Sequence, residues 1–314
     1  ATAREGRMLL QSSGIPSYET PAAAAAAVDH LTRWSRVQTV LQRVPAAAAG
    51  TAVDRAAALS VFRQAASENR RMLTEPEAKA VVKAYGIPVP ETIVARSVND
   101  VGRAAERLLQ GSQKIVIKLL SKSVSHKSDV GGVVLNIETA NGARNAARII
   151  ERNLRQYAPG ASIDGFAVQP MIERNQAQEL IVGIGRDAIF GPILMFGTGG
   201  IAVEVVDDTA IALPPLDDVL AGGLIDQTQV SRLLAGFRGR KPAERGLIIR
   251  ALNALSLLIV DFPCIVAADV NPLLADTEGV IALDVRFEID PETVEQPGPN
   301  PALIIRPYPA EWAR

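Results

Sequence analysis

Residues 114–136, KIVIKLLSKSVSHKSDVGGVVLN, constrain the fold of this chain more than any other stretch. Two short runs rich in Ile, Val and Leu, 114–120 and 132–136, flank a loop of Ser, Lys, His, Asp and Gly, a pattern that reads as two strands joined by a polar flap. The first strand carries Lys118 near its exit, and the loop adds Lys122, His126, Lys127 and the pair Gly131-Gly132. Glycines let a backbone approach a ligand closely and a lysine is a compact point charge, so this concentration of cations and N–H donors suits phosphate oxygens. The spacing is not G-x-x-x-x-G-K-[ST], and a strand rather than a helix follows the glycines, which predicts a β-hairpin flap instead of a P-loop. On these residues alone, a solvated hairpin tip with ordinary charges stays open. With Val124 and Val130 as its apolar side chains, the flap is expected among the least ordered parts of the fold.

A chain of 314 residues that is 48% hydrophobic can bury the cores of two or more compact units. Its net charge of −1 argues against nucleic acid as a partner. Cys264 is the single cysteine, which excludes a disulfide framework, and its apolar neighbours over 262–268 predict a buried structural thiol. No apolar run reaches the roughly 18–20 residues that span a bilayer and no signal peptide opens the chain, so a cytoplasmic location without membrane contact is expected. The chain opens on Ala1 and not methionine, and the expectation is a piece processed or cut from something longer.

In order, residues 1–44 read as helix, short strand at 17–19 and alanine-rich helix, too little for a core. PAAAAG at 45–50 and a helix over 51–68 read as a boundary and a connecting helix. Thr74-Glu75-Pro76-Glu77 is a capping box that opens a helix stopped by Gly86-Ile87-Pro88. Strand 91–95, helix 98–109, the two flap strands, helix 141–156 and strand 164–169 then form one mixed α/β lobe. After Pro170 the texture becomes antiparallel, with strands 179–185, 193–196 and 201–206. A helical turn at 217–221 ended by Gly222-Gly223, helices at 229–235 and 242–260, and strands 262–271 and 279–287 complete a second lobe. The proline-rich tail 291–314 reads as a linker.

The last strand pair holds a second constellation. A tight turn at 276–279 sets Asn271 opposite Asp284 and Asp269 opposite Arg286. One neutral and one anionic oxygen donor side by side suit Mg²⁺, which keeps waters and takes one or two protein ligands beside phosphate. A polar hairpin face with a structural Asp–Arg pair is the other reading of the same residues.

Together these segments resemble a known family: the ATP-grasp module of acyl-CoA synthetases that form ADP, relatives of succinyl-CoA synthetase. The segments that carry the resemblance are LTEPEAKAVVKAYGIPVP, VIKLLSKSVSHKSDVGGVVLNI, QELIVGIGRDAIFGPILMFGTGGIAVEV and DVNPLLADTEGVIALDV, spread in family order over 73–287. ALPPL at 212–216 and IIRPYPAEW at 304–312 resemble bacterial fusions in which the module precedes a GNAT-type protein lysine acetyltransferase domain. The resemblance implies an ATP-grasp fold of two α/β lobes with an antiparallel sheet in the second. It divides the chain into the end of a succinyl-CoA-synthetase-like, flavodoxin-like domain (1–45), a linker and connecting helix (46–72), a first lobe with the phosphate flap (73–168), a second lobe with the Mg hairpin (169–290) and a linker (291–314).

Carried over by position, Lys118 resembles the lysine that contacts nucleotide phosphates, with Gly131 and Gly132 in the flap. Gln169 to Met171 falls at the hinge where backbone groups meet adenine, and Glu179 resembles an acidic residue beside the nucleotide; Glu204 follows the GTGG turn without a defined role. Asn271 and Asp284 match the Mg²⁺ ligands. His126 matches a histidine that carries a phosphoryl group between domains or subunits, a task suited to a neutral imidazole on a loop. His30 has no such support and reads as surface. The implied cofactors are ATP/ADP and Mg²⁺, with CoA or acyl-CoA in the full-length protein, and the implied partners are a CoA-binding domain and a GNAT domain of that protein. The implied activity is ADP-forming acyl-CoA ligation, for which this chain alone is incomplete. A catalytically silent nucleotide- or acyl-CoA-sensing module and a structural scaffold stay open, as do the acyl group and the oligomeric state.

Overall fold

The structure is a computed structural model that describes residues 3–41, 53–124, 127, 129–200, 208–296 and 300–303. It falls into two units, residues 1–47 and 48–314. In the first, helix α1 (Ala3–Ser12) ends at Gly14, whose φ of 73° suits a residue without Cβ, and Ile15 N–H returns to Leu10 O at 2.9 Å. Helix α2 (Pro21–Leu41) starts at Thr20, whose Oγ1 accepts from Ala23 N–H. The strand expected at 17–19 is absent: Ser17 and Tyr18 are irregular and Glu19 bends into α2, because no described strand lies beside them to take up their hydrogen bonds.

The second unit is built on two antiparallel sheets. Four strands, β1 (Ile93–Ala95), β2 (Ile115–Leu120), β3 (Val133–Ile137) and β4 (Gly165–Pro170), lie in the order β1-β4-β2-β3. Helices α5 (Val98–Leu108) and α6 (Ala140–Tyr157), capped by Ser97 and Thr139, pack on one face. Their core takes Ile115, Ile117 and Leu119 from β2 and Phe166 and Val168 from β4. Strand alternation therefore turns Val116, Lys118 and Gln169 to the other face.

The larger sheet has β5 (Gln178–Asp187), β6 (Gly191–Thr198), β7 (Thr209–Ala212), β8 (Ile265–Asp276), β9 (Gly279–Ala282) and β10 (Val285–Ile289). Its order is β10-β8-β5-β6-β7, with β9 also on β8. Helices α7 (Asp218–Asp226), α8 (Val230–Leu234) and α9 (Arg245–Asp261) supply much of its core. The same core takes in α3 (Arg55–Ser67) through Ala58, Phe62 and Ala65, and α4 (Glu75–Ala84) through Ala78, Val81 and Val82. Phe62 meets Phe262 and Phe287 edge to face, with centroids 4.9 and 6.1 Å apart. By packing, then, the connecting helix and the helix assigned to the first lobe both belong with the larger sheet, and the small lobe is an insertion between α4 and β5.

Two further expectations change. Gly222-Gly223 does not stop a helical turn: α7 runs through both glycines, held by the Asp217 cap and by buried Leu224 and Ile225. The expected linker after 290 starts packed, with Val294 in the core and Asn300 donating to Ile259 O. The strand expected at 201–206 lies outside the described residues.

Candidate active site between the two sheets

Helix α4 opens as the sequence specifies, with Thr74 N–H donating to Glu77 Oε2 at 2.7 Å. Its first residue, Glu75, shares the buried face with Ala78, Lys79 and Val82, at helical spacing. The Glu75 side chain is 2% exposed and receives three ammonium groups: Lys79 at 2.8 Å and Lys118 at 2.7 Å on Oε1, and Lys127 at 2.7 Å on Oε2. Burial pushes this carboxyl group up, but the fields of Lys118, Lys79 and Lys127 overcome that and hold it far below the usual carboxylate range. Burial pushes the Lys79 ammonium down against the pull of Glu75. Lys79 also donates to Gln169 Oε1 at 2.5 Å, so the Gln169 side chain is an anchor for this cluster.

Lys118 joins the two lobes. From the inner face of β2 it reaches Glu75 and, at 3.1 Å, Leu283 O, the carbonyl one residue before Asp284. Asp284 stands where hairpin register predicts: Asp276 pairs with Gly279 and Leu273 with Ala282, Asn271 N–H donates to Asp284 O at 3.1 Å, and Arg286 pairs with Asp269. Against β5 the register of β8 slips between Leu180 and Val182, so that Asn271 and Pro272 together face one residue. Proline cannot donate to a ladder, and a bulge is where a strand tolerates it. Asn271 Oδ1 accepts from Gly200 N–H at 3.0 Å, in the turn that follows β6. Gly199 N–H of that turn donates to Glu179 O at 2.7 Å, which draws Glu179 and Asn271 to one place.

A cavity of about 500 Å³ opens beside the lysine cluster, bordered by Arg70, Arg71, Glu75, Lys127, Asp284 and Arg286. Its lining fits a polyphosphate with a hard cation: Asp284 offers a carboxylate at the cavity, and Asn271, paired with it on the hairpin, offers an amide oxygen with one lone pair left. Among the described residues no three or more His, Cys, Asp or Glu side chains gather into a metal cage.

The flap glycines act first on the chain itself. Gly131 has φ 61°, and Gly132 N–H donates to Lys127 O at 2.7 Å, an approach that a Cβ on Gly132 would crowd at 2.9 Å. Val124 and Val130 pack against the small-lobe core, which tethers both arms of the flap. Met171 N–H is taken by Lys114 O at 2.9 Å, because pairing of β4 with β2 continues past Pro170. His126 and Glu204 lie outside the described residues. Burial pushes the Cys264 thiol up to about 12, as befits an inert core residue. The sequence reading missed Glu75 and Lys79 as site residues; the available signal was a pair of opposite charges, four apart, on the apolar face of a helix.

Residues 64–289 match the family model of the ATP-grasp domain. The chain is 37% identical over 236 residues to the beta subunit of acetate–CoA ligase (ADP-forming) I from Pyrococcus furiosus, a match over 75% of this chain and 99% of that subunit. It is 34% identical over 288 residues to acetate–CoA ligase (ADP-forming) I of Archaeoglobus fulgidus, covering 92% of this chain but 41% of that longer protein. Among solved structures, the dinucleotide-forming acetyl-coenzyme A synthetase 1 of Ca. Korarchaeum cryptofilum, in complex with coenzyme A and Ca-AMPCP, superposes with a TM-score of 0.70. It is 34% identical, over 74% of this chain and 99% of that one. Another structure of that protein holds Mg-AMPPCP with a phosphohistidine segment pointing towards the nucleotide site, at a TM-score of 0.64 and 31% identity. These relatives support the ligase half of the family resemblance, and none of them supports the acetyltransferase fusion. No helix among the described residues is long and apolar enough to cross a membrane. With a matched model over most of its length and a relative this similar, the chain belongs to the ATP-grasp family, as a module of the kind that forms the beta subunit of ADP-forming acyl-CoA synthetases.

Proposed function

We propose that this chain binds Mg-ATP between its two sheets and moves a phosphoryl group between the nucleotide and His126, as one half of an ADP-forming acyl-CoA synthetase. The observation that carries the reading is Lys118, which leaves the small lobe and meets the main chain of the large lobe one residue from Asp284. A lysine and a carboxylate brought together from opposite lobes can hold the γ-phosphate and its cation in one grip. Lys118 and Lys127 would neutralise charge on the transferred oxygens, and Asn271 and Asp284 would hold Mg²⁺, which supplies Lewis-acid charge at the β- and γ-phosphates. Gln169 to Met171 and Glu179 would border the base and sugar, and Gly131-Gly132 would set the shape of the flap. In the transfer the bond between the γ-phosphorus and the β,γ-bridging oxygen breaks, an N–P bond forms on the imidazole, and ADP leaves. The Korarchaeum protein's phosphohistidine segment supports this role for a loop histidine. The partner is then a CoA-binding subunit or domain, where the phosphoryl group passes from the imidazole to a small carboxylate to give an acyl phosphate, and the CoA thiol attacks its carbonyl, forming acyl-CoA and releasing inorganic phosphate.

Calorimetry with Mg-ATP on the wild type should show binding, and Lys118→Ala and Asp284→Ala should each weaken it at least about tenfold, the worth of a lost charge-assisted contact. Incubation with γ-labelled ATP and Mg²⁺, alongside the CoA-binding partner, should give label that survives alkali, is lost in acid and is absent from His126→Ala. Equal label in that variant would place the phosphoryl group elsewhere. Binding without any label in the complete protein would leave a nucleotide sensor as the function.

A further inference from the structure

We propose that Glu75 is a resident substitute for substrate phosphate: it holds Lys118 and Lys127 in place, and ties the flap to α4, until the phosphates of a nucleotide take the two lysines over. The proposal rests on the nucleotide reading above and adds to it a positioning residue that also competes with the ligand.

One carboxylate faces three ammonium groups, and with Asp284, whose field also reaches Lys79, counted in, the cluster still holds one positive charge in excess in a nearly closed setting. Such a cluster is only partly neutralised, and a polyanion is the ligand that would complete it. The three lysines also differ in origin. Lys79 sits four residues along the same helix, 3% exposed and tied to Gln169, and has no reason to move. Lys118 and Lys127 come from the small lobe, on β2 and on the flap, and are 11% and 17% exposed; Lys127 lines the cavity, and Lys118 lies behind it on the same Glu75 carboxylate. Glu75 therefore has a permanent partner in Lys79 and two partners that a competing anion can draw off without stranding the carboxylate.

The geometry has a cost for the ligand. Part of the intrinsic affinity for phosphate is spent on breaking two buried ion pairs, so the apparent affinity is lower than the bare lysines would give. In return Lys118 and Lys127 are already extended into the cleft when nucleotide arrives, and two long side chains need no ordering at that moment. Lys127 is the described flap side chain that reaches α4, so its pairing with Glu75 also holds the flap arms against the larger lobe.

Calorimetry with Mg-AMPPCP on the wild type comes first: absence of binding there removes the nucleotide reading itself. Given binding, Glu75→Gln, neutral and of nearly the same shape, should bind Mg-AMPPCP and inorganic tripolyphosphate about tenfold more tightly, because neither has a resident carboxylate to displace. Lys127→Gln should bind both more weakly, since it removes a phosphate contact along with the tie. In ligand-free protein both variants should exchange the amide hydrogens of 121–124 and 129–132 several-fold faster than wild type, with the body of α4 unchanged. A carboxylate that only repels phosphate from a distance would alter affinity without altering that exchange. Unchanged or weaker affinity in Glu75→Gln, or flap exchange equal to wild type, overturns the proposal. Should Glu75→Gln fail to fold, Glu75→Asp decides: its shorter side chain keeps the charge but cannot span both Lys118 and Lys127, so the same two changes are expected in the same directions.

Discussion

Asp208 illustrates what a single carboxylate can hold together. It is buried and accepts from Thr198 Oγ1 at 2.7 Å and from the N–H groups of Gln229 and Val230 at 2.6 and 2.8 Å, so it fastens the end of β6 to the start of α8. Burial alone pushes its carboxyl group up, but these three donors outweigh that and keep it below the ordinary aspartate range. A depressed folded-state value means that the unfolded chain binds the proton first as pH falls. The stability Asp208 contributes is therefore present above the ordinary value near 4 and lost as pH drops through the folded value. Asp208→Asn should melt well below wild type at pH 7, and the difference should narrow steadily from about pH 4 downwards. A gap in melting temperature that stays constant across that range would show the ionised form to be irrelevant. Glu75 and Glu77, both held low by lysine or arginine partners, steepen the wild-type acid limb in the same direction.

At the scale of elements, α3 makes the sharpest test. Phe62 is fully buried between Phe262 and Phe287, in a core that also holds Ala58 and Ala65. Phe62→Ala should cost about 3–5 kcal/mol in urea unfolding with little change in the slope of the transition, the expectation for a cavity left in a well-packed core. A loss below about 1 kcal/mol would mean that the helix is peripheral after all. The helix was visible in the sequence, but its place was not: an alanine-rich segment next to PAAAAG has the composition of a connector, and packing against strands two hundred residues away leaves no local trace. The site divides in the same manner. Asn271 opposite Asp284 followed from one hairpin turn, because strand register is set locally. Lys118 could be placed on a strand, yet which face pointed to the cleft depended on α5 and α6 covering the other. Glu75 and Lys79 were hidden because the capping box explained Glu77 and left the first-turn glutamate looking like ordinary dipole chemistry.

For the whole molecule, the chain separates at residue 47 into a helical pair and the unit that holds both sheets, the lysine cluster, Asn271 and Asp284. The helical pair leaves Val28, Leu31, Trp34 and Val37 of α2 exposed and contains none of the site residues. The Pyrococcus beta subunit is matched over 99% of its length by 236 residues, so a polypeptide of about the larger unit's extent exists in that relative as a separate chain. Both hydrophobic cores draw all their residues from beyond position 52. A protein reduced to residues 48–314 should accordingly unfold cooperatively in urea and bind Mg-AMPPCP within about twofold of the full chain, because no group that supports the cleft has been removed. Calorimetry on the two proteins side by side decides the matter. A drop beyond tenfold, with the shorter protein shown to be folded, would give the first two helices a part in the cleft, and the site would have to be rebuilt to include them.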